Sequence, residues 1–413
     1  MRVLWFEVTT PTNYERGAKQ VIAGWQDSLE FLLTKKTKLE LCIAFISYTD
    51  TQIKVIDGVT YIPIHIKYSR LDKIKTRFSW EIEASKILTK SKTIINEYKP
   101  DLIHIFGTEW PFGLISKYTD IPCVIHIQGS IVSYNNSMYP PCYNGCTLVM
   151  SALKSPRNIL HVLFNHFKNN SRRKMESEIW RSTQLYMGRT VWDKSLVATL
   201  HRDARYFHVE EAIRPVFFST KRRWHFKDRP VVKLFSVGCS TFWKGPDVML
   251  KVANILAANN INFEWLVAGA LPKEIKTAVE FKENLRYSDY NIKFLGFISP
   301  EDIIDYLCDC TLYVHTAYIE NSPNSICEAQ ILGVPIVSTN VGGIESLVRN
   351  NMDGKLVPAN DPWRLAYTII ELSTNQLLLE TYSKNSRDLA LKRHSEDNII
   401  MQLLTCYSAV SHQ

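Results

Sequence analysis

Two glutamates, Glu320 and Glu328, stand eight residues apart on either side of a predicted helix start. Residues 311–315 form a short apolar run that is typical of a buried strand. Ser322-Pro323 is typical of a helix opening, with Ser as the N-cap and Pro in the first helical position. The helix is predicted to end at Leu332, before a glycine and a nearby proline. Glu320 is therefore expected in the loop before the helix, and Glu328 in its second turn.

The start of this helix could bind an anion. The first amides of a helix have no intrahelical partner and carry the positive end of the helix dipole. A diphosphate could therefore sit on the amides of Asn324, Ser325 and Ile326. A carboxylate can accept two hydrogen bonds from a vicinal diol, so one glutamate could hold a sugar and the other a ribose. Taken alone, the pair is equally compatible with a solvated loop residue and a helix-surface charge.

The wider segment carries a family resemblance. It resembles the Glu-x7-Glu signature of family-4 retaining glycosyltransferases, through residues 320–329, Gly333-Val334-Pro335-Ile336-Val337 and Gly342-Gly343-Ile344. Residues 235–238 with Lys244-Gly245 resemble the first strand and phosphate loop of that family's C-terminal domain, and residues 100–104 with 106–109 resemble its N-terminal domain. Residues 188–193 are similar to a segment of a bacterial surface-polysaccharide branch.

The resemblance implies roles for individual residues. Glu320 would contact the transferred sugar and Lys244 the donor diphosphate, which makes these two the catalytic candidates. Glu328 would bind the ribose. The other donor-side candidates are Gly238, Cys239, Asn321, Ser322, Asn324, Ser325, Ile326 and Gly24. The candidates on the acceptor or sugar side are Gln128, Gly129 and Glu109.

The chain departs from the family pattern at two positions. Cys239 stands where the family usually has an arginine, and a thiol cannot present a guanidinium fork to phosphate. Gln128 stands where many members have a histidine, although its side-chain amide can still donate a hydrogen bond. His104, Glu109 and His126 are expected at strand ends facing a cleft, where each is as compatible with a structural role as with a functional one.

No cofactor beyond the nucleotide sugar, UDP- or GDP-linked, is expected. The chain contains no Asp-x-Asp pair to hold a divalent metal on a diphosphate, so we expect metal-independent transfer. Cys142 with Cys146, or Cys308 with Cys310, could be half of a zinc site, but neither has a matching second pair. Retention of anomeric configuration is implied by the resemblance alone.

Elements that alternate between strand and helix must position these residues. The 413 residues have 46% hydrophobic content, 22% charged content and a net charge of +8, as expected of a globular protein with two domains. The predicted strands are Val3 to Phe6, Leu39 to Phe45, Leu102 to Phe106 and Cys123 to Gln128, and the predicted helices include Ala18 to Leu33 and Trp80 to Tyr98. This pattern favours an α/β fold.

The resemblance specifies the architecture as GT-B, two Rossmann-like doubly wound domains facing across a cleft. The basic, proline-bounded stretch at 214–230 predicts the connection between them. We expect an N-terminal acceptor-binding domain over 1–215 and a nucleotide-sugar-binding domain over 216–395. Residues 396–413 are expected to form a helix that crosses back to the first domain.

The function expected is retaining transfer of a hexose-type sugar to a saccharide or polyprenyl-diphosphate-linked acceptor. A non-catalytic sugar-nucleotide binding protein and a sugar-nucleotide epimerase remain as alternatives; no signal for a phosphorylase or for nucleic-acid binding is present. No apolar run is long enough for a membrane span or a signal-peptide core, which predicts a cytoplasmic protein. Basic clusters at 35–36, 73–77, 172–174 and 222–223 predict peripheral contact with an anionic membrane.

Overall fold

A computed structural model describes residues 1–16, 24–151 and 156–411 of the chain. The chain forms two compact units. Unit 1 comprises Met1–Ser133, Leu163–Arg214 and His394–Gln413, and unit 2 comprises Tyr134–Val162 and Pro215–Arg393. This division differs from the predicted domains in one respect besides small shifts of boundary, since residues 134–162 were expected in the first domain.

The two units share an alternation of strands and helices. The strands are β1 (Arg2–Glu7), β2 (Glu40–Ser47), β3 (Lys54–Ile56), β4 (Val59–His65), β5 (Leu102–Phe106), β6 (Cys123–His126), β7 (Leu185–Gly188), β8 (Arg205–His208), β9 (Val232–Val237), β10 (Phe263–Ala268), β11 (Ile292–Gly296), β12 (Leu312–His315), β13 (Ile336–Thr339) and β14 (Lys355–Val357). The helices are α1 (Thr12–Arg16), α2 (Trp25–Lys36), α3 (Arg70–Lys75), α4 (Glu81–Tyr98), α5 (Ile131–Tyr134), α6 (Gly145–Ser151), α7 (Pro156–Ser182), α8 (Val191–Leu200), α9 (Val216–Ser219), α10 (Pro246–Ala258), α11 (Lys273–Glu283), α12 (Pro300–Asp309), α13 (Asn324–Leu332), α14 (Ile344–Leu347), α15 (Pro362–Ser373), α16 (Gln376–Arg393) and α17 (Glu396–Ser411). Short 3₁₀ helices lie at Pro111–Lys117, Asn135–Ser137, Phe242–Lys244 and Tyr287–Asp289.

Unit 1 is built on an eight-stranded sheet in the order β3-β4-β2-β1-β5-β6-β7-β8, in which β3 alone is antiparallel to its neighbour. The four predicted strands of this unit are confirmed as β1, β2, β5 and β6, although β6 ends at His126. The predicted helix at 80–98 is confirmed as α4. The helix predicted from Ala18 is described only from Trp25, because residues 17–23 lie outside the described part.

Both faces of this sheet are buried, as expected for parallel strands covered by helices. One face packs Trp5, Phe106 and Tyr407 together with residues of α2 and α17. The other packs Phe6, Ile105 and Trp180 together with residues of α4 and α7. The apolar runs of β1 and β2 are continuous rather than alternating for this reason.

Unit 2 is built on a parallel six-stranded sheet in the order β11-β10-β9-β12-β13-β14. The chain winds outward from β9 to β11 and then returns to start again at β12, which is the 3-2-1-4-5-6 order of a doubly wound fold. The strand order therefore reverses between β9 and β12. Ligands of such sheets bind at this switch point, outside the carboxyl ends of the strands.

The segment 134–162 belongs to unit 2 through aromatic packing. Tyr143 is buried in one cluster with Phe242, Leu250 and Tyr287, and the hydroxyl of Tyr143 donates to Glu283 at 2.7 Å. The sequence of this segment has no hydrophobic periodicity that would indicate which unit it packs against. Its place in unit 2 was therefore not predictable from the sequence.

Candidate functional site

Two loops meet at the switch point of unit 2. Lys244 closes the 3₁₀ turn between β9 and α10, and Glu320 lies in the loop between β12 and α13. The Lys244 ammonium forms an ion pair with the Glu320 carboxylate. The two catalytic candidates, 76 residues apart in the chain, are thus in direct contact.

Backbone hydrogen bonds hold these loops together. The hydroxyl of Thr316 donates to the Lys244 carbonyl at 2.8 Å, and the amide of Tyr318 donates to the Trp243 carbonyl at 2.7 Å. The Tyr318 hydroxyl in turn donates to the Asp247 carboxylate at 2.7 Å. The positions of the two loops are therefore set by hydrogen bonds that do not involve the Lys244 ammonium or the Glu320 carboxylate.

Two glycines make this close approach possible. Gly245 has φ +70°, and a Cβ there would lie 2.0 Å from the Thr316 carbonyl oxygen. Gly342 has φ +53°, and a Cβ there would lie 1.9 Å from the carbonyl oxygen of Glu320, which accepts a hydrogen bond from the Gly343 amide at 2.9 Å. Any side chain at either position would force the loops apart.

His315 lies beneath the ion pair at the end of β12. Its Nε2 is 3.9 Å from a Glu320 carboxylate oxygen, and its side chain is buried. Burial, opposed by the charge of Glu320 and assisted by that of Lys244, lowers the pKa of His315 to about 4. The imidazole is therefore neutral near pH 7, and Lys244 and Glu320 carry the charges of this part of the site.

The ion pair explains how a lysine tolerates this position. Lys244 precedes the first turn of α10, where the positive end of the helix dipole disfavours a cation unless an anion accompanies it. Glu320 supplies that anion in the structure. An incoming diphosphate would compete with Glu320 for the same ammonium and would release the carboxylate toward other partners.

The alternative interpretations of the two glutamates, a solvated loop residue and a helix-surface charge, are wrong. Glu320 is 7% exposed and Glu328 is 3% exposed, so neither is a solvated surface charge. Glu328 lies in α13, as predicted, five residues after the helix N-cap. Burying a carboxylate is costly unless it is paired, and the Lys244 ammonium pairs with Glu320.

The predicted helix start needs correction. The N-cap is Pro323 rather than Ser322, and no side chain caps the helix. Because the first turn closes on the Pro323 carbonyl, the Ile326 amide is already bonded to it at 3.0 Å. Ile326 therefore cannot offer its amide to a phosphate, and the predicted anion site narrows to the amides of Asn324 and Ser325. Asn321 and Ser322 lie buried in the loop before the helix.

Gly238 and Cys239 follow β9 on the Lys244 side of the switch point. Gly238 has φ +82°, and its amide donates to the Ala268 carbonyl at 2.9 Å. Cys239 is buried, and burial raises the pKa of its thiol to about 11. The thiol is therefore neutral, so the charge that an arginine would bring to this position is missing.

The acceptor-side candidates come together in unit 1. Glu109 follows β5, and Gln128 and Gly129 follow β6, the next strand of the sheet. The Thr108 hydroxyl donates to the Gly129 carbonyl at 3.2 Å and to Glu176 at 2.6 Å. These three candidates thus share one edge of the unit 1 sheet.

Glu176 organises the loop after β6. Its carboxylate accepts hydrogen bonds from the amides of Ile131 at 2.9 Å and Val132 at 2.6 Å. The pKa of the nearby Glu109 is raised to about 7 by burial and by the charge of Glu176, with Arg172 opposing. Glu109 can therefore gain or lose a proton near neutral pH, a property suited to an acid or base.

Gly24 and the two histidines have structural explanations. Gly24 is the N-cap of α2, where its amide donates to Asp27 at 3.1 Å, and its φ of −141° is open to any residue. His104 and His126 are fully buried between aromatic rings rather than at an open strand edge. His104 lies in the middle of β5 rather than at its end and points into the core beneath α17, whereas His126 ends β6 as predicted.

Sequence reasoning missed several residues that shape the site. They are His315, Thr316, Tyr318, Asp247 and Glu176. The histidine that ends a buried strand five residues before Glu320 was a usable signal. The other four act through contacts between distant segments, which no spacing in the chain reveals.

Two observations concern metals and membranes. In residues 1–16, 24–151 and 156–411, no group of three or more His, Cys, Asp or Glu side chains could hold a metal ion. Within the same ranges no helix is long and apolar enough to cross a membrane.

The chain is similar to known proteins in sequence and in fold. Residues 218–389 match the family model of Glycosyl transferases group 1, a match that contains Lys244, Glu320 and Glu328. Sucrose-phosphate synthase from Thermosynechococcus elongatus superposes with a TM-score of 0.72 at 14% identity, covering 99% of this chain and 98% of its own. Anabaena HepE in complex with UDP-glucose superposes with a TM-score of 0.64 at 15% identity, covering 99% and 100%.

These findings define the fold of the protein. The chain has the two-domain α/β fold of GT-B glycosyltransferase structures. The family supported by the matched segment is the group 1 glycosyltransferases. In sequence, the chain is 26% identical to the amylovoran biosynthesis glycosyltransferase AmsK of Erwinia amylovora over 224 residues, 52% of each protein. The chain spans about half the length of the first curated relatives that it matches.

Proposed function

We propose that the protein is a retaining glycosyltransferase that moves a hexose from a UDP- or GDP-linked donor to a saccharide or lipid-linked saccharide in bacterial surface-polysaccharide synthesis. The observation that carries the proposal is the contact between Lys244 and Glu320 at the switch point of a doubly wound sheet. Support for the pathway comes from the relative named for amylovoran biosynthesis, and support for the donor from the structural neighbour bound to UDP-glucose.

The residues divide the chemistry between them. Breaking the donor bond between the anomeric carbon and the phosphate oxygen sends an electron pair to the diphosphate. Lys244 and the amides of Asn324 and Ser325 stabilise this developing charge. Glu320 binds the sugar hydroxyls, and Glu328 binds the ribose.

Retention then follows a front-face route. The acceptor oxygen bonds to the anomeric carbon on the side from which the diphosphate departs, and its proton passes to the leaving phosphate oxygen. This route needs no protein nucleophile. It also needs no divalent cation, because Lys244 and the helix amides supply the positive potential that a metal would otherwise provide.

The acceptor determines where the enzyme works. A polyprenyl-diphosphate-linked saccharide resides in a membrane, so the enzyme would act as a cytoplasmic protein in peripheral contact with the inner leaflet. The basic clusters of the sequence, among them residues 73–77 and 172–174, suit such contact.

A donor panel tests the proposal. Thermal unfolding with UDP-, GDP- and ADP-sugars should identify one donor that stabilises the protein, by about 2.7 kcal/mol at 100 times its dissociation constant. Radiolabelled sugar from that donor should then move to saccharide acceptors, with the anomeric configuration retained by NMR and the rate unchanged in excess chelator. Donor binding without transfer or hydrolysis would favour a binding protein, and interconversion of the donor sugar would favour an epimerase. Loss of activity in chelator with rescue by manganese would overturn the metal-independent route.

A further inference from the structure

The helix α3 of unit 1 exposes apolar side chains to water. None of its residues is buried. Leu71 is 69% exposed, Ile74 54% and Phe78, in the following turn, 44%. Large aliphatic and aromatic side chains grouped in this way on a surface mark a site where another surface is covered.

The spacing places these side chains on one side of the helix. Positions 71, 74 and 78 are separated by three and four residues, the spacing of neighbours on a helical face. The helical hydrogen bonding continues past Lys75, because the amides of Thr76 and Ser79 donate to the Asp72 and Lys75 carbonyls at 2.8 and 3.1 Å. Phe78 follows in a hydrogen-bonded turn, in which its own amide donates to the Lys75 carbonyl at 3.0 Å.

A second helix extends the apolar surface. On α7, the ring of Phe164 packs edge-on against Phe78 at 4.9 Å between centroids. Phe167, one turn further along, lies 6.3 Å from Phe78 and is 54% exposed. We call Leu71, Ile74, Phe78 and Phe167 the apolar patch.

Exposed lysines and arginines alternate in sequence with the apolar side chains of the patch. The exposed cations between residues 67 and 78 are Lys67, Arg70, Lys73, Lys75 and Arg77. Asp72 is the one acidic residue in this stretch, and it is neutralised by Lys86 at 2.7 Å. The segment therefore presents cations and apolar side chains with no uncompensated anion.

We propose that the apolar patch and its cations dock on the surface of an anionic phospholipid bilayer. The proposal deepens the proposed function, on which it rests, by assigning the surface that brings the enzyme to a lipid-linked acceptor. The cations suit lipid phosphates, and the apolar side chains suit the boundary between headgroups and acyl chains. A nucleic acid would use the cations but would leave Leu71 and Ile74 in water.

Vesicle sedimentation of the whole protein tests the assignment. Binding should be strong to phosphatidylcholine vesicles containing phosphatidylglycerol, weak to pure phosphatidylcholine, and reduced by high salt. Lys73→Glu/Arg77→Glu should weaken partitioning at least about 25-fold, since each cation near the surface contributes about fivefold. Leu71→Gln/Ile74→Gln should weaken it by tenfold or more without changing net charge, because their aliphatic groups would no longer enter the membrane boundary.

Matched controls separate the patch from general charge and hydrophobicity. Lys282→Glu/Arg286→Glu makes the same charge change at exposed positions of unit 2. Leu377→Gln/Met401→Gln removes aliphatic side chains that are 76% and 60% exposed elsewhere. Both controls should bind vesicles nearly as the parent does. Equal losses in controls and patch variants would overturn the assignment, as would a change in oligomeric state on substituting the patch.

Transfer to a water-soluble acceptor analogue distinguishes failure of this proposal from failure of the proposed function. The patch variants should retain that activity, because no patch residue lies among the candidate site residues. Parent protein that transfers sugar but stays in the supernatant with anionic vesicles overturns the docking surface alone. Vesicle binding without any transfer overturns the proposed function alone.

Discussion

The two units have the same winding but differ at their switch points. In unit 2 the strands β9 and β12 lead into loops that place a lysine and a glutamate in contact, with glycines allowing the backbones to approach. In unit 1 the corresponding strands, β1 and β5, lie under an aromatic cluster. The Trp5 indole donates to the Tyr407 hydroxyl at 3.0 Å, and His104 contacts the same hydroxyl at 2.7 Å.

The ionisable side chains near the two switch points also differ. Glu7, at the end of β1, is buried, and burial together with Glu30 and Asp27 raises its pKa well above the usual range. The unit 1 edge thus favours protonated carboxyls and neutral histidines, whereas the unit 2 edge keeps an ion pair. The same winding therefore carries a lysine–glutamate ion pair at the switch point of unit 2 and a buried aromatic cluster over β1 and β5 of unit 1. The following predictions test that contrast, from the largest effect to the smallest.

Glu320→Gln should lower kcat by about 10²–10³-fold, comparable to removal of one preorganised transition-state contact. Affinity for the free nucleoside diphosphate should change little, because the carboxylate acts on the sugar. Initial rates and calorimetry measure the two quantities. The contrasting variant in unit 1 is His104→Gln, at a buried position of β5. It should lower thermal stability and leave the kcat of the folded enzyme unchanged. Equal losses of kcat and diphosphate affinity in Glu320→Gln would contradict its sugar-side position.

Glu328→Ala should weaken binding of the nucleoside diphosphate itself by about 1.5–3 kcal/mol, the size of a charge-assisted hydrogen bond. The effect should appear in calorimetry without any sugar present. Glu274→Ala, at an exposed helical position of the same unit, serves as the control. Glu328→Gln, which preserves volume, guards against a packing defect. Unchanged affinity in a folded Glu328 variant would remove it from the donor site.

Acid should destabilise the fold through His104. Burial lowers its pKa to about 3, so between this value and about 6.5 the unfolded chain binds a proton that the folded chain does not. Stability is therefore lost as the pH falls. Between pH 7 and pH 5 this one histidine should contribute a loss of about 2 kcal/mol.

The measurement compares the unfolding free energies of the parent and His104→Gln at both pH values. The difference between the two proteins separates the contribution of His104 from those of Glu109 and Asp193. Their pKa values are raised to about 7 and about 6, so these two carboxyls stabilise the fold as the pH falls. If both proteins lose the same free energy, His104 is not neutral and buried in solution.

Tyr318→Phe should give the smallest effect. It removes the hydrogen bond that ties the Glu320 loop to Asp247, while Asp247 keeps its bond to Lys251 at 3.1 Å. A loss of about 1 kcal/mol, or about fivefold in kcat, is expected with diphosphate affinity retained. Tyr290→Phe, which removes a hydroxyl contact to Asn254, provides the control. A fall in diphosphate affinity with unchanged kcat would show that Tyr318 does not position Glu320.

Local sequence determined much of this protein. Short apolar runs predicted the strands β1, β5, β9 and β12, because such runs are typical of buried strands. The glycine after Leu332 predicted the end of α13, because glycine readily adopts the left-handed conformation that ends a helix. The candidate donor site around Glu320 and Glu328 was predicted from the family resemblance of the surrounding residues, because the spacing of the two glutamates alone does not distinguish it from surface charges. The start of α13 was misjudged by one residue, since the N-cap position is Pro323 rather than Ser322.

Tertiary structure decided which polar residues meet and which are buried. Lys244 and Glu320 are 76 residues apart, and their contact depends on the reversal of strand order between β9 and β12. His104 was expected at a strand end facing a cleft, yet α17, some 300 residues later, covers it with Tyr407. Local propensities act over a few residues, whereas burial and pKa depend on the segments that pack together from distant parts of the chain.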